Sequence, residues 1–331
     1  MRVKEKRSRS YYSTGLWVGT AIITLTLLVL TGNYYLNQWL QQQLTTLVYQ
    51  QSKGVYALRL NGLRTSLFTG SVTIDSLVLK PDYARWKQLQ EKQEEVPGML
   101  LHLRTGKVTL DDLSYWHALK GNSARIGSVT LASPSLELTK VGADTASRQQ
   151  PLHTLASGPL KGLAIERIVV KQAQLRYNSQ PGKRILSVAN LQLQVQDFVL
   201  DSLSFAAPER VYYASEIALR VGKSSLRTSD GLYTIVADTL EADTQTGTAS
   251  AAKLRLVPLL RPAAMARKSG KAVTYLKGQL ARLQLQGVNF QEFSHNNQVQ
   301  IRSMLLQQPV LSAFKDKKRF ADKGRKLFPH D

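Results

Sequence analysis

Hydrophobic residues change their spacing along this chain, and each change marks a new kind of element. No Asp, Glu, Lys, Arg or His occurs between Arg9 and Lys53, and within that interval residues 15–36 (GLWVGTAIITLTLLVLTGNYYL) are predominantly apolar. A helix of that length reaches about 33 Å against a hydrocarbon core of about 30 Å, so the pattern predicts a transmembrane helix. Ile22, Ile23, Leu27 and Leu28 form its middle, and Trp17, Tyr34 and Tyr35 stand where interfacial aromatics belong. A cleaved signal would carry an apolar core of only about 7–15 residues and a small-residue cleavage site, whereas this run continues into Tyr34-Tyr35-Leu36-Asn37. Leu36, Leu40, Leu44, Leu47 and Val48 then recur at helical spacing among glutamines up to Gly54, which predicts an amphipathic continuation over residues 37–54.

From Val55 onward the period becomes two. Leu191-Gln-Leu193-Gln-Val195-Gln alternates strictly, and shorter runs occur at Val72–Ile74, Val108–Leu110, Leu136–Leu138, Ile217–Val221, Leu254–Leu256 and Leu283–Leu285. Each run predicts a strand with one apolar and one wet face. Two helical interruptions are expected, over 82–95 with Tyr83, Trp86 and Leu89 on one side, and over 263–276. About a dozen such strands, advancing about 4.8 Å each, predict a sheet about 58 Å long.

An internal repeat is the most specific signal. Residues 108–138 superpose without a gap on residues 283–313, an offset of 301 − 126 = 175 measured between Ile126 and Ile301. The shared pattern is Ile-x-x-apolar-x-apolar-x-x-Pro-x-Leu: Ile126, Val129, Leu131, Pro134 and Leu136 answer Ile301, Met304, Leu306, Pro309 and Leu311. Before it, in both copies, a strand passes into a segment suited to a helical turn. A third copy of the second half runs Ile165, Ile168, Val170, Ala173, Leu175. The three-residue steps break the alternation and the proline cannot donate to a ladder, which predicts bulges or bends near a sheet margin. A unit that cannot bury its own apolar face, repeated, predicts an extended, quasi-one-dimensional sheet.

Charge orients the chain. Arg2, Lys4, Lys6, Arg7 and Arg9 against Glu5 give the first ten residues a net +4, so the positive-inside rule places the N-terminus in the cytoplasm and the bulk of the chain across the membrane. Of the formal +21, about +17 remains beyond the span, a field suited to anionic headgroups or other polyanions. Nucleic acid is disfavoured as a partner, because the cations are spread through strand-like segments and no nucleic-acid motif is present. The absence of cysteine excludes a disulfide framework and thiolate chemistry.

The anchor, the strands that follow it (YALRLNGLRTSLFTGSVTIDSLVLKPD) and the recurring unit, best seen as ARIGSVTLASPSLEL, resemble the AsmA-like envelope proteins, relatives of TamB and of the chorein-type bridge-like lipid transporters. The resemblance covers most of residues 15–314. It implies a mainly β fold: one transmembrane helix in the bacterial inner membrane, then an elongated, curled antiparallel sheet with an apolar trough and a few short helices, projecting into the periplasm. It also implies phospholipid movement or outer-membrane homeostasis, with membrane phospholipid as the ligand and an outer-membrane or periplasmic protein as a partner. The chain is short beside the largest members. The expected organisation is a basic cytoplasmic tail (1–14), the span (15–36), the helical continuation (37–54), an extracytoplasmic repeat-containing β domain (55–314) and a basic segment (315–331).

In a lipid conduit, acyl chains would lie against Val129, Leu131, Leu136, Leu191, Leu193, Val195, Leu283, Leu285, Leu306 and Leu311, with headgroups at the rim near basic residues. Each of these side chains fits the core of a closed sandwich or barrel equally well. The alternative function is an anchored envelope scaffold or assembly factor that binds protein partners through its sheet edges without moving lipid. No catalytic or metal site is predicted. His102, His117, His153, His295 and His330 are widely separated, and Ser312–Lys315 matches S-x-x-K without the partner motifs of that acyl-transfer site. Asp111-Asp112 is expected to cap a helical turn, Glu94-Glu95 to solvate a helix end, and no cofactor is called for.

Overall fold

The computed structural model describes residue 35 and residues 37–66, 69–94, 96–114, 123–142, 162–270 and 273–315. These residues are mainly β with a few short helices, and their eighteen strands belong to one sheet. Most strands are halves of longer rungs. Rung 1 is β1 (Tyr56–Asn61) with β2 (Arg64–Ser66), rung 2 is β3 (Ser71–Ile74) with β4 (Ser76–Pro81), and rung 3 is β5 (Met99–Thr105) with β6 (Val108–Asp111). Rung 4 is β7 (Ser123–Ala132) with β8 (Ser135–Lys140), and rungs 5 and 6 are the unbroken β9 (Gly162–Gln180) and β10 (Lys183–Leu200). Rung 7 is β11 (Glu216–Val221) with β12 (Ser224–Arg227), and rung 8 is β13 (Tyr233–Ala237) with β14 (Thr239–Asp243). The unbroken β15 (Thr248–Pro258) and β16 (Tyr275–Gln286) are rungs 9 and 10, and rung 11 is β17 (Ser303–Gln307) with β18 (Val310–Phe314).

Every rung pairs with the next in chain order, in both halves. One half runs through β1, β4, β5, β8, β9, β10, β12, β13, β15, β16 and β18, and the other through β2, β3, β6, β7, β9, β10, β11, β14, β15, β16 and β17. Ten intervals between eleven rungs give a sheet about 48 Å long, somewhat shorter than the dozen-strand expectation. The pairing is antiparallel with one exception that corrects the all-antiparallel expectation: β7 and β8 pair with β9 in parallel. Both rungs run the same way, so Gly162 opens β9 beside Ser123, at the end of rung 4 opposite to Lys140.

The three-residue step is general. Near the middle of each rung the apolar alternation skips, at Leu60–Leu63, Ile74–Leu77, Thr105–Val108, Leu131–Pro134, Val170–Ala173, Val188–Leu191, Val221–Ser224, Ala237–Leu240, Ala251–Leu254, Leu280–Leu283 and Leu306–Pro309, and rungs 4, 5 and 6 skip again at Ile126–Val129, Ile165–Ile168 and Val195–Phe198. Aligned by the ladders, the central steps form a crease down the middle of the sheet, whereas the sequence pattern had suggested its margin. An extra residue in each rung keeps the apolar side chains of both halves on one face. In rungs 1, 4, 5, 6, 9 and 11 the second skipped residue is left-handed: Gly62 (φ 65°), Ser133 (50°), Gln172 (54°), Asn190 (53°), Lys253 (50°) and Gln308 (50°). Backbone bonds stitch the crease, among them Gly106 N to Ala132 O (3.1 Å), Ser133 N to Lys171 O (2.8 Å) and Gly222 N to Ala189 O (3.1 Å).

Helices sit in the connections and over the first rungs. Tyr83–Glu91, shorter than the expected 82–95, is capped by Asp82, whose carboxylate accepts from Arg85 N (2.9 Å). Pro262–Ser269 stops well before 276 because Gly270 turns left-handed (φ 66°) and Tyr275 opens β16. Phe290–Asn296 is the helical turn expected in the second copy of the repeat. Asp111 instead belongs to β6 and Asp112 is left-handed (φ 57°), so among residues 111–114 the pair caps no helix. The amphipathic continuation forms a helix over residues 37–51. No helix among the described residues is long and apolar enough to cross a membrane, and residues 15–34 and 36 of the expected span lie outside them.

Candidate functional site

The ladder registers assemble two unbroken apolar lines on the same face, one in each half. The first runs Leu101, Leu138, Tyr177, Leu186, Leu226, Ile235, Leu256, Gly278, Leu311 across rungs 3–11. The second runs Ile74, Val108, Leu131, Val170, Leu193, Leu219, Ala242, Ala249, Leu285, Met304 across rungs 2–11. All the groove candidates read from sequence belong to this face. Leu131, Leu193 and Leu285 are in the second line, and Val129, Leu136, Val195, Leu283, Leu306 and Leu311 pair within the same set of rows. Leu191 stands at the crease opposite Ala173. Of the anchor residues only Tyr35 is described, exposed beside the helix 37–51; Trp17, Ile22, Ile23, Leu27, Leu28 and Tyr34 lie outside the described residues.

Burial shows which way the crease folds. Beside it Pro134, Ala173, Val188, Val221, Ser224, Ala237 and Ala251 are buried, although no helix or second sheet packs over them among the described residues. Side chains on one face of a single-layer sheet lose water in this way when the two halves fold toward that face. The crease residues are thus mostly the deepest on this face and those farther out mostly half-exposed or exposed, such as Leu226 at 43 % exposure, as the floor and walls of a trough would be. The floor tolerates polar groups where a carbonyl is near: Thr105 Oγ1 donates to Ala132 O (3.3 Å).

The two ends of the trough differ. Over the first rungs the helix 37–51 lies on the apolar face, with Leu40 packed against the buried cluster of Leu60, Leu63, Ile74 and Val108. It also ties the outer edge of rung 1: Thr65 N and Oγ1 both donate to Asn37 Oδ1 (3.0 and 2.8 Å), and Gln41 Nε2 donates to Leu60 O (3.1 Å). Toward the other end the face opens into an apolar cavity of about 370 Å³ lined by Ile235, Leu254, Leu256, Leu280, Leu306 and Leu311. Gly278 stands in this wall, and a Cβ there would meet Leu311 Cδ1 at 3.5 Å, Leu256 Cβ at 3.7 Å and Val310 O at 3.8 Å, all ordinary van der Waals distances.

The opposite face is polar except at the first rungs, where Leu100 and Val55 are buried against Trp86 and Leu89 of the helix Tyr83–Glu91. Arg176, Ser187, Ser225, Val236, Arg255 and Gln279 follow one another across it, as do Thr73, Thr109, Thr130, Val169 and Gln194. Arg59, Lys80, Arg104, Arg220, Lys277 and Arg282 share this side, so these cations stand across the sheet from the trough rather than on its rim. Its recess of about 570 Å³ is lined by Gln192, Gln194, Gln284 and Gln286 beside an Arg220–Glu241 pair at 3.4 Å. Three titratable groups among the described residues depart clearly from their ordinary values, none of them in the two apolar lines. Burial raises the Tyr56 phenol, whose oxygen accepts from Leu101 N, while the Lys53 ammonium, 2.9 Å away, lowers the Glu94 carboxyl. The Thr228 hydroxyl and the Leu232 amide lower Asp230. Comparison with protein-family models finds no matching family, and comparison with curated proteins finds no matching relative.

Proposed function

We propose that this protein holds lipid acyl chains against the apolar face of its creased sheet, in the manner of the AsmA-like proteins it resembles, as an inner-membrane-anchored periplasmic conduit for phospholipid. The observation that carries this reading is the pair of apolar lines, continuous by register from rungs 3 and 2 to rung 11 and left half-exposed along much of their length. The helix 37–51 packs Leu40 against the face at the first three rungs, and the path from rung 4 to rung 11 is about 34 Å at one strand spacing per interval. Each buried methylene contributes about 0.8 kcal/mol, so about ten of them supply the roughly 8 kcal/mol that corresponds to micromolar binding, before the cost of ordering the chain. No proton transfer or bond cleavage is required.

The test is lipid occupancy. Native mass spectrometry and solvent extraction of the detergent-purified protein should find co-purifying phospholipid. Gly278→Phe, which fills the cavity from a position with room for a side chain, should lower the occupancy while leaving the fold intact. Protein that carries no lipid in either form would overturn the reading.

A further inference from the structure

Rung 11 has the composition of an interior strand and the position of an edge. Every residue from Ser303 to Phe314 is exposed, none is charged, and among the described residues no strand pairs with its outer side. Leu305 (51 % exposed) and Val310 (55 %) stand on the face that other rungs fill largely with Arg, Gln, Ser and Thr. Edge strands are ordinarily blunted by charge or cover, and rung 1 is covered by the helix 37–51; a strand apolar on both sides is ordinarily buried on both.

The internal repeat shows what such an edge accepts. Rung 11 is the counterpart of rung 4 at the offset of 301 − 126 = 175, and the backbone agrees in detail. Asp112 and Gly287 are both left-handed (φ 57° and 64°), Gly127 N bonds to Asp112 O and Arg302 N to Gly287 O, each at 3.3 Å, and Ser133 and Gln308 both take φ 50° before a proline. The outer side of rung 4 is occupied by β9, in parallel. Ile126 faces Ile165, Val129 faces Ile168, Leu131 faces Val170, Leu136 faces Leu175 and Leu138 faces Tyr177. At the crease Ser133 N donates to Lys171 O and Gln174 N to Pro134 O, both 2.8 Å, so the proline does not prevent the pairing. Rung 11 presents Ile301, Met304, Leu306, Leu311 and Ala313 at the same positions.

We infer that the outer edge of rung 11 docks a β-strand supplied from outside residues 1–331, entering parallel to β17–β18. That strand carries apolar residues at the spacing of Ile165, Ile168, Val170, Leu175 and Tyr177, so its apolar face continues the trough. The segment 315–331 is not the occupant: it carries seven cations and no copy of the pattern. A second copy is not the occupant either, because a twofold axis that pairs two rung-11 edges in parallel turns their apolar faces to opposite sides. The inference rests on the repeat and stands whether or not the trough holds lipid.

The test uses the strand that already fits rung 4, a synthetic peptide of residues 162–180, added to the full chain. The chain has no cysteine, so engineered pairs are unambiguous, and neighbouring strands about 4.8 Å apart lie within disulfide reach. Ser303→Cys should cross-link to peptide carrying Arg167→Cys, and Ser312→Cys to peptide carrying Arg176→Cys, as Ser128 and Glu137 face those residues in rung 4. The swapped combinations should give no product, and Leu305→Lys should abolish capture without changing the circular dichroism of the protein. Cross-linking of the swapped pairs, absence of any peptide product, or Ser303-to-Ser312 disulfides joining two copies of a double-cysteine chain would each overturn the assignment.

Discussion

An aspartate placed on the trough floor should cost far more than one placed on its wall. Val221 and Leu226 share rung 7 on opposite sides of the crease and face the same way, but Val221 is 5 % exposed and Leu226 43 %. Val221→Asp loses the burial of a whole side chain, about 1.5–3 kcal/mol, and strands a carboxylate without a partner, for a total of about 4 kcal/mol. Leu226→Asp loses only the buried part of its side chain, roughly 1–1.5 kcal/mol, and its carboxylate reaches water. The difference, about 3 kcal/mol, should appear in urea unfolding followed by circular dichroism as a midpoint shift of about 1 M at the slope expected for a sheet of this size. Burial raises the introduced floor carboxyl above its unfolded value. Its penalty is therefore absent below the unfolded pKa of about 4 and grows as pH rises toward the folded one. Unfolding at pH 5 should accordingly narrow the gap between the variants relative to pH 8. Equal losses in the two variants, at both pH values, would refute the open trough and indicate a closed core.

Three further outcomes follow from local geometry. At the crease, Gln172 is left-handed, so Gln172→Gly should be at least as stable as the parent in urea, whereas Gln172→Val should lose about 1–2 kcal/mol; the reverse order would refute the crease backbone. Tyr56→Phe leaves the Leu101 amide without its acceptor and should cost about 1–2 kcal/mol, and it should remove a tyrosine that titrates above the ordinary range from an alkaline absorbance titration. The raised phenol stabilises the fold below the ordinary tyrosine range and loses that contribution as pH rises through its folded value, so parent and variant should converge at high pH. Lys53→Met should move the Glu94 carboxyl resonance midpoint upward by NMR, an effect that weakens in high salt in the parent; an unmoved midpoint would dissolve the pair.

The strands were legible wherever the period of two was clean, as at Leu191–Val195, because alternation maps directly onto the faces of a pleated ribbon. The three-residue step was legible at Ile126–Val129 and Leu131–Pro134 only because a repeat displayed it more than once. The same step at Leu60–Leu63, Ile74–Leu77, Ala237–Leu240 and Ala251–Leu254 spans Asn-Gly, Asp-Ser, Asp-Thr and Ala-Lys, with no residue type common to all four. A bulge requires an extra residue rather than a particular one, so the crease emerges only when the ladders align the rungs. Thr105 and Ser224 on the floor interrupt the apolar pattern, and their burial follows from the fold and not from their chemistry. The parallel step between rungs 4 and 5 was also hidden, since Val129–Leu131 and Ile168–Val170 look the same whichever way the chain returns. Cations were misplaced for a related reason: alternation gives two faces but does not say that the basic one is turned away from the trough.

Site-specific photo-crosslinking tests the central claim most directly. Benzoylphenylalanine placed at Leu131, Leu193 or Leu256 points into the trough, and at Thr130, Gln194 or Arg255, the adjoining positions, onto the polar face. Irradiation of cells followed by mass spectrometry of the purified protein should give phospholipid adducts at the three trough positions and none at their neighbours. Adducts at both sets alike, or at neither, would contradict a lipid-bearing trough.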